Sequence, residues 1–192
     1  MKHLNGSNRM ANLIPWVLVG VRLVLGPVLL VDSLDGETDI WFVIGLLAAF
    51  GSDYFDGVIA RWLGSVDRRL RIADSRVDAF FMLCVAGSAW FGHRETVMRL
   101  APLIGLKFGI YFISLLLPWL KFRELPAYHA YSAKAAGLLL FIAVITLFWT
   151  GAADMLLKIA LWTAVLSHLD RIAISMLLSE SATDIPGFWA VL

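Results

Sequence analysis

Four aspartates define the chemistry open to this chain: Asp53, Asp56, Asp74 and Asp78. Asp53 and Asp56 are three residues apart and Asp74 and Asp78 four apart, so on helices each pair shares a face. Two antiparallel helices joined by a short connection would bring both pairs to a common point. Carboxylates gathered in this way repel one another unless cations neutralise them, and hard divalent ions with oxygen ligands do this well. Two such ions about 3.5–4 Å apart form a frequent phosphoryl-transfer site. Small residues continue the pattern. Gly57 lies one turn after Asp53 and Ala60 one turn after Asp56, leaving a smooth trough with Arg61 at its rim. Such a trough suits a flat, charged ligand such as a nucleotide diphosphate. The plainer alternative is a set of structural salt bridges to Arg68, Arg69, Arg71 and Arg76.

The elements that must position these residues are membrane helices. Hydrophobic residues make up 60% of the 192 and charged residues only 16%, against about 25% in soluble domains. Mean hydropathy is +0.79. A formal net charge of +1 leaves no broad basic surface and gives no reason to invoke nucleic acid. One cysteine, Cys84, sits in an apolar run and excludes a disulfide framework or thiolate metal site.

A bilayer core needs about 20 apolar residues per helix. Six stretches are candidates: Leu13 to Val31, Ile40 to Trp62, Val77 to Gly92, Leu100 to Leu120, Ala135 to Ala153 and Met155 to Leu178. The third is the shortest and works if Asp78 lies at its cytoplasmic end. The first has Arg22 in its middle and no small-residue cleavage site after it, so it reads as a retained helix rather than a signal peptide.

The expected fold is an all-α integral membrane protein, a six-transmembrane-helix bundle with both termini cytoplasmic, forming a single domain over residues 1–192. Its orientation follows from nine basic residues on one side, Lys2, Arg9, Arg61, Arg68, Arg69, Arg71, Arg76, Lys121 and Arg123, against Arg94 and Arg99 on the other. The expected location is a bacterial inner (plasma) membrane.

On this topology four carboxylates and at least two cations inside spans collect in the cytoplasmic half of the bundle. Asp53 and Asp56 come 13 and 16 residues after Ile40, about 20–24 Å along a helix. Asp74 and Asp78 flank the cytoplasmic start of the third span. Lys134 opens the fifth, Arg171 lies deep in the sixth, and Arg22 is near mid-depth in the first. Lys134, Arg171 and Arg22 are the candidates for contacting an anionic acceptor; the alternative for the first two is pairing with Asp170 or a carboxylate of the cluster, and for Arg22 packing and pairing in the bundle. Lys107 falls in the outer half, where it would snorkel outward. His168, one turn before Arg171, reads as a satisfied bundle histidine.

The stretch SDYFDGVIARWLGSVDRRLRIADSRVD resembles the signature of the CDP-alcohol phosphotransferases, D-x2-D-G-x2-A-R-x8-G-x3-D-x3-D. Asp53, Asp56, Gly57, Ala60, Arg61, Asp74 and Asp78 match, seven of eight specified positions across 26 residues. The remaining position, a glycine in the signature, is Leu70. The run NLIPWVLVGVRLVLGP is similar to the family's opening helix, with Trp16 where an asparagine is expected.

The resemblance implies transfer of a phosphatidyl or related group from a CDP-alcohol such as CDP-diacylglycerol to a hydroxyl acceptor, with release of CMP. It implies a homodimer, and Mg²⁺ or Mn²⁺ as two ions. Asp53, Asp56, Asp74 and Asp78 would ligate metal, with Asp78 also the general base. Gly57, Ala60 and Arg61 would line the nucleotide site. Glycerol 3-phosphate is one acceptor, although HAYSAKAAGLLL lacks the Thr and Gln usual after the lysine in glycerophosphate-specific members; inositol phosphate, serine or another polyol are others. Two other readings use the same residues: a divalent-cation transporter, and a non-catalytic relative that only binds CDP-lipid.

Overall fold

The computed structural model describes residues 6–62, 68–124, 128, 130–180, 182 and 185–191, without the side chains of 6–13, 53–62, 68, 69, 71 and 75. Six helices account for nearly all of it: α1 (Gly6–Asp32), α2 (Ile40–Trp62), α3 (Arg68–Gly92), α4 (Arg94–Phe122), α5 (Tyr131–Thr150) and α6 (Asp154–Leu177). No strand occurs among the described residues.

Within the described residues, four stretches are long and apolar enough to cross a bilayer: Ile14–Asp35, Arg94–Phe122, Tyr131–Thr150 and Asp154–Leu177. The protein is an integral membrane protein on that evidence. The described apolar part of α2 is the shorter Ile40–Ser52. Helix α3 begins at Arg68, nine residues before the expected Val77. Its first turns carry Arg68, Arg69, Arg71, Asp74, Arg76 and Asp78, which lower its hydropathy without interrupting the helix. Leu70, the residue in place of the signature glycine, is buried in the first turn of α3.

The chain divides into two compact units, Met1–Arg94 and Glu95–Leu192. In the first, α1 packs against both α2 and α3. Small residues permit the close approach, as expected where apolar lipid gives helices little reason to associate except good packing. A β-carbon added at Gly45 of α2 would lie 2.8 Å from Leu29 of α1, and one at Gly87 of α3 would lie 2.8 Å from Leu30. Gly26 of α1 faces Cys84 and Phe81 of α3. The buried Ser88 hydroxyl lies 3.1 Å from the Cys84 carbonyl oxygen and 3.3 Å from that of Leu29, tying α3 to α1.

In the second unit, α5 and α6 form an antiparallel pair around Ala143, Leu147, Leu157, Ala160 and Leu161, joined by Leu100 of α4. Gly151, at φ +71°, ends α5 and donates its N–H to the Leu147 carbonyl at 2.8 Å. The far end of α6 is closed by Lys121 of α4. Its ammonium donates to the carbonyl oxygens of Ser175, Met176 and Leu178 at 3.0, 3.0 and 2.6 Å. The chain then turns back, burying Ile185 against Tyr128 and Ile174.

Candidate active site

Arg22 organises the described part of the site in the first unit. It lies ten residues before the end of α1 and is 1% exposed. Its Nη2 donates to Asp74 Oδ1 at 2.6 Å, and its Nη1 donates to Asp78 Oδ1. The two aspartates stand one turn apart on α3, so one guanidinium reaches both. Their side chains are 31% and 38% exposed, so the pair meets the cation from the buried side and remains open on the other. The early start of α3 creates this arrangement by placing Asp74 and Asp78 on one continuous helical face.

Asp53, Asp56, Gly57, Ala60 and Arg61 lie on the last third of α2, and their side chains are outside the described residues. Among the described residues, no three histidine, cysteine or acidic side chains converge as a metal-holding group. Asp74 and Asp78 nonetheless supply hard oxygen donors, on one accessible face, of the kind that Mg²⁺ and Mn²⁺ prefer. The donor chemistry therefore fits a divalent cation. The expectation that Arg22 contacts an acceptor meets a different geometry here, because two of its nitrogens are directed at carboxylates.

The second unit holds a cavity of about 100 Å³ lined by Tyr128, Ala130, Ala133, Ser167, His168 and Arg171. It is built where the start of α5 meets the second half of α6. Arg171 has no ion-pair partner among the described residues. Asp170, the carboxylate next to it, is occupied otherwise. Ser132 Oγ donates to Asp170 Oδ2 at 2.6 Å, and the Phe188 N–H donates to Oδ1 at 2.9 Å. Neither Arg171 nor Lys134 pairs with it. Lys134 is exposed on the first turn of α5, its ammonium 5.3 Å from the centre of the Tyr131 ring.

His168 differs from the sequence expectation. Its ring centroid is 5.0 Å from that of Tyr111 on α4, and its Nε2 is buried without a hydrogen-bond partner among the described residues. His168 and Arg171 both line the cavity. The one-turn spacing between His168 and Arg171 was the available signal for this pairing. Lys107 sits at the middle of α4 with its ammonium 4.2 Å from the Phe108 ring centre and 5.4 Å from that of Tyr111. Both rings lie within reach of cation–π attraction for the ammonium.

A sequence model of the CDP-alcohol phosphatidyltransferase family matches residues 12–169. The chain belongs to that family. No curated protein and no solved structure matches it. The match places this CDP-alcohol phosphatidyltransferase family member's four aspartates, Arg22, Lys134 and His168 inside the shared region. Arg171 falls two residues beyond it.

Proposed function

We propose that the protein transfers the phosphatidyl group of a CDP-alcohol, CDP-diacylglycerol in the first instance, to a hydroxyl acceptor and releases CMP. The observation that carries this reading is the seven-of-eight signature on α2 and α3, two of whose aspartates present their carboxylates together on α3. The family match supports the reaction class.

The assigned residues divide the work as follows. Gly57 and Ala60 leave room for the nucleotide beside α2, and Arg61 offers it a charged rim. Asp53, Asp56, Asp74 and Asp78 would hold two Mg²⁺ or Mn²⁺ ions, which when bound neutralise the pyrophosphate and the charge growing on the departing CMP. Asp78 accepts the acceptor's hydroxyl proton as that oxygen attacks the β-phosphorus. An oxygen–phosphorus bond forms there, and the bond from the β-phosphorus to the bridging oxygen breaks. CMP leaves with the bonding electrons. Arg171 and Lys134 would bind an anionic group on the acceptor, such as the phosphate of glycerol 3-phosphate. A guanidinium that lines a cavity and has no ion-pair partner among the described residues supports this for Arg171.

The distribution of basic residues supports six spans, with both termini and the site on the cytoplasmic side. The working form is proposed as a homodimer. The lipid tail then stays in the bilayer while its head group is exchanged at the surface.

The test is CMP release by the purified protein in detergent with Mg²⁺ or Mn²⁺, CDP-diacylglycerol and a panel of hydroxyl acceptors. Release with one acceptor is expected, reduced by roughly 10²–10⁴-fold or more in Asp78→Asn. CDP-lipid binding without release from any acceptor would refute catalysis. Metal uptake into liposomes with no CDP binding would favour a transporter instead.

A further inference from the structure

The pairing of Arg22 with Asp74 and Asp78 has a consequence for the state of the site before metal arrives. We propose that Arg22 is an internal counter-ion. It holds the two α3 carboxylates together and neutralised in part when no divalent cation is bound, and without it the fold becomes dependent on metal. The inference rests on the metal assignment proposed above.

Three observations support it. Arg22 is among the largest fully buried side chains of the protein, at 1% exposure, so its charge has been taken out of water for a reason internal to the fold. Its two terminal nitrogens go to two different carboxylates, Asp74 and Asp78, rather than both to one. Those carboxylates retain 31% and 38% exposure, so the guanidinium occupies their inner side and leaves the outer side open to a second cation. A guanidinium stays charged throughout the accessible pH range, which makes it a permanent counter-charge. One positive charge against two negative ones leaves the trio at −1, still attractive to a divalent ion. Arg22 is thus a positioning residue that acts through the aspartates.

The experiment compares the full-length protein in detergent with Arg22→Met and Arg22→Lys. Apparent unfolding temperature is measured in EDTA and in excess Mg²⁺, and Mn²⁺ binding is followed by electron paramagnetic resonance. Removing Arg22 withdraws a positive charge that Asp74 and Asp78 share, and bound metal can supply the missing charge. The Mg²⁺-induced rise in unfolding temperature is therefore expected to be larger in Arg22→Met than in the unaltered protein by about 5 °C or more. Arg22→Lys, which keeps the charge and loses the two-armed reach, should fall between. An equal or smaller rise in Arg22→Met would overturn the proposal and leave Arg22 a packing residue.

Should Arg22→Met be too unstable to purify without metal, the double variant Arg22→Met/Asp74→Asn removes one charge of each sign. It is expected to regain unfolding temperature in EDTA, and failure to do so overturns the counter-ion role. Absence of Mn²⁺ binding by the unaltered protein would overturn the metal assignment and the metal-dependence claimed here. The double variant in EDTA would then still decide the counter-ion role separately.

Discussion

Asp170 offers a quantitative test of how the second unit is held together. Its two oxygens accept from Ser132 Oγ in the first turn of α5 and from the Phe188 N–H in the returning C-terminal segment. One carboxylate therefore fastens three pieces of chain beside the Arg171 cavity. A hydrogen bond to a charged group contributes about 1.5–3 kcal/mol. The Phe188 bond is exposed and the Ser132 bond only part-buried, so about 2–3 kcal/mol is reasonable for the two together in Asp170→Ala. At about 2–4 °C per kcal/mol for a chain of this size, the unfolding temperature should fall by roughly 4–12 °C. Asp170→Asn retains one acceptor oxygen and should lose about half as much.

Tryptophan fluorescence during heating in detergent measures the global change, and limited proteolysis within residues 178–191 measures release of the segment. Ala130 and Ala133 of the cavity wall flank Ser132, so the acceptor KM should rise while that for the CDP-lipid stays unchanged. Unaltered melting together with an unaltered cleavage rate in Asp170→Ala would refute the reasoning.

Three further outcomes are expected. Arg171→Met should lower kcat/KM for an anionic acceptor by roughly 10- to 150-fold, the loss of one charge-assisted contact, and should leave an uncharged acceptor less affected. Lys121→Met should lower the unfolding temperature by about 2–8 °C, because three carbonyl oxygens at the end of α6 lose a cationic donor worth about 1–2 kcal/mol after allowing for its exposure. Burial pushes the His93 imidazole, in the connection between α3 and α4, below its ordinary range. Below about pH 6.5 the unfolded chain then binds a proton that the folded one resists, so this part of stability is present above that pH and lost as pH falls towards the folded value. His93→Gln should flatten that limb of the stability profile in chemical unfolding between pH 5 and 7.5.

The sequence carried some of these features plainly and others not at all. Helix α2 has the bounds expected from the sequence, Ile40–Trp62, because helical spacing continues from the apolar run through Asp53, Asp56 and Arg61. Helix α3 does not, because Arg68, Arg69, Arg71 and Arg76 read as a polar connection although helical spacing continues through them. The aspartate signature was legible as spacing. The partner of Asp74 and Asp78 was not, since Arg22 precedes them by 52 and 56 residues and only packing of α1 on α3 brings it near. Asp170 illustrates the same limit. Nearby cations made it look like an ion-pair partner, whereas a serine hydroxyl and a backbone amide hold it. Lys107 shows contacts that spacing did not point to, its ammonium lying near the Phe108 and Tyr111 rings.

The embedding of Arg22 also bears on how the chain is made. Translation at roughly 5–20 residues per second leaves about 3–10 s between synthesis of Arg22 and arrival of Asp74. During that interval α1 carries its guanidinium without the carboxylates that later receive it. Release of α1 into lipid on its own therefore costs about 2.5–3.5 kcal/mol for the unpaired guanidinium, a cost that pairing with α3 offsets once that helix follows.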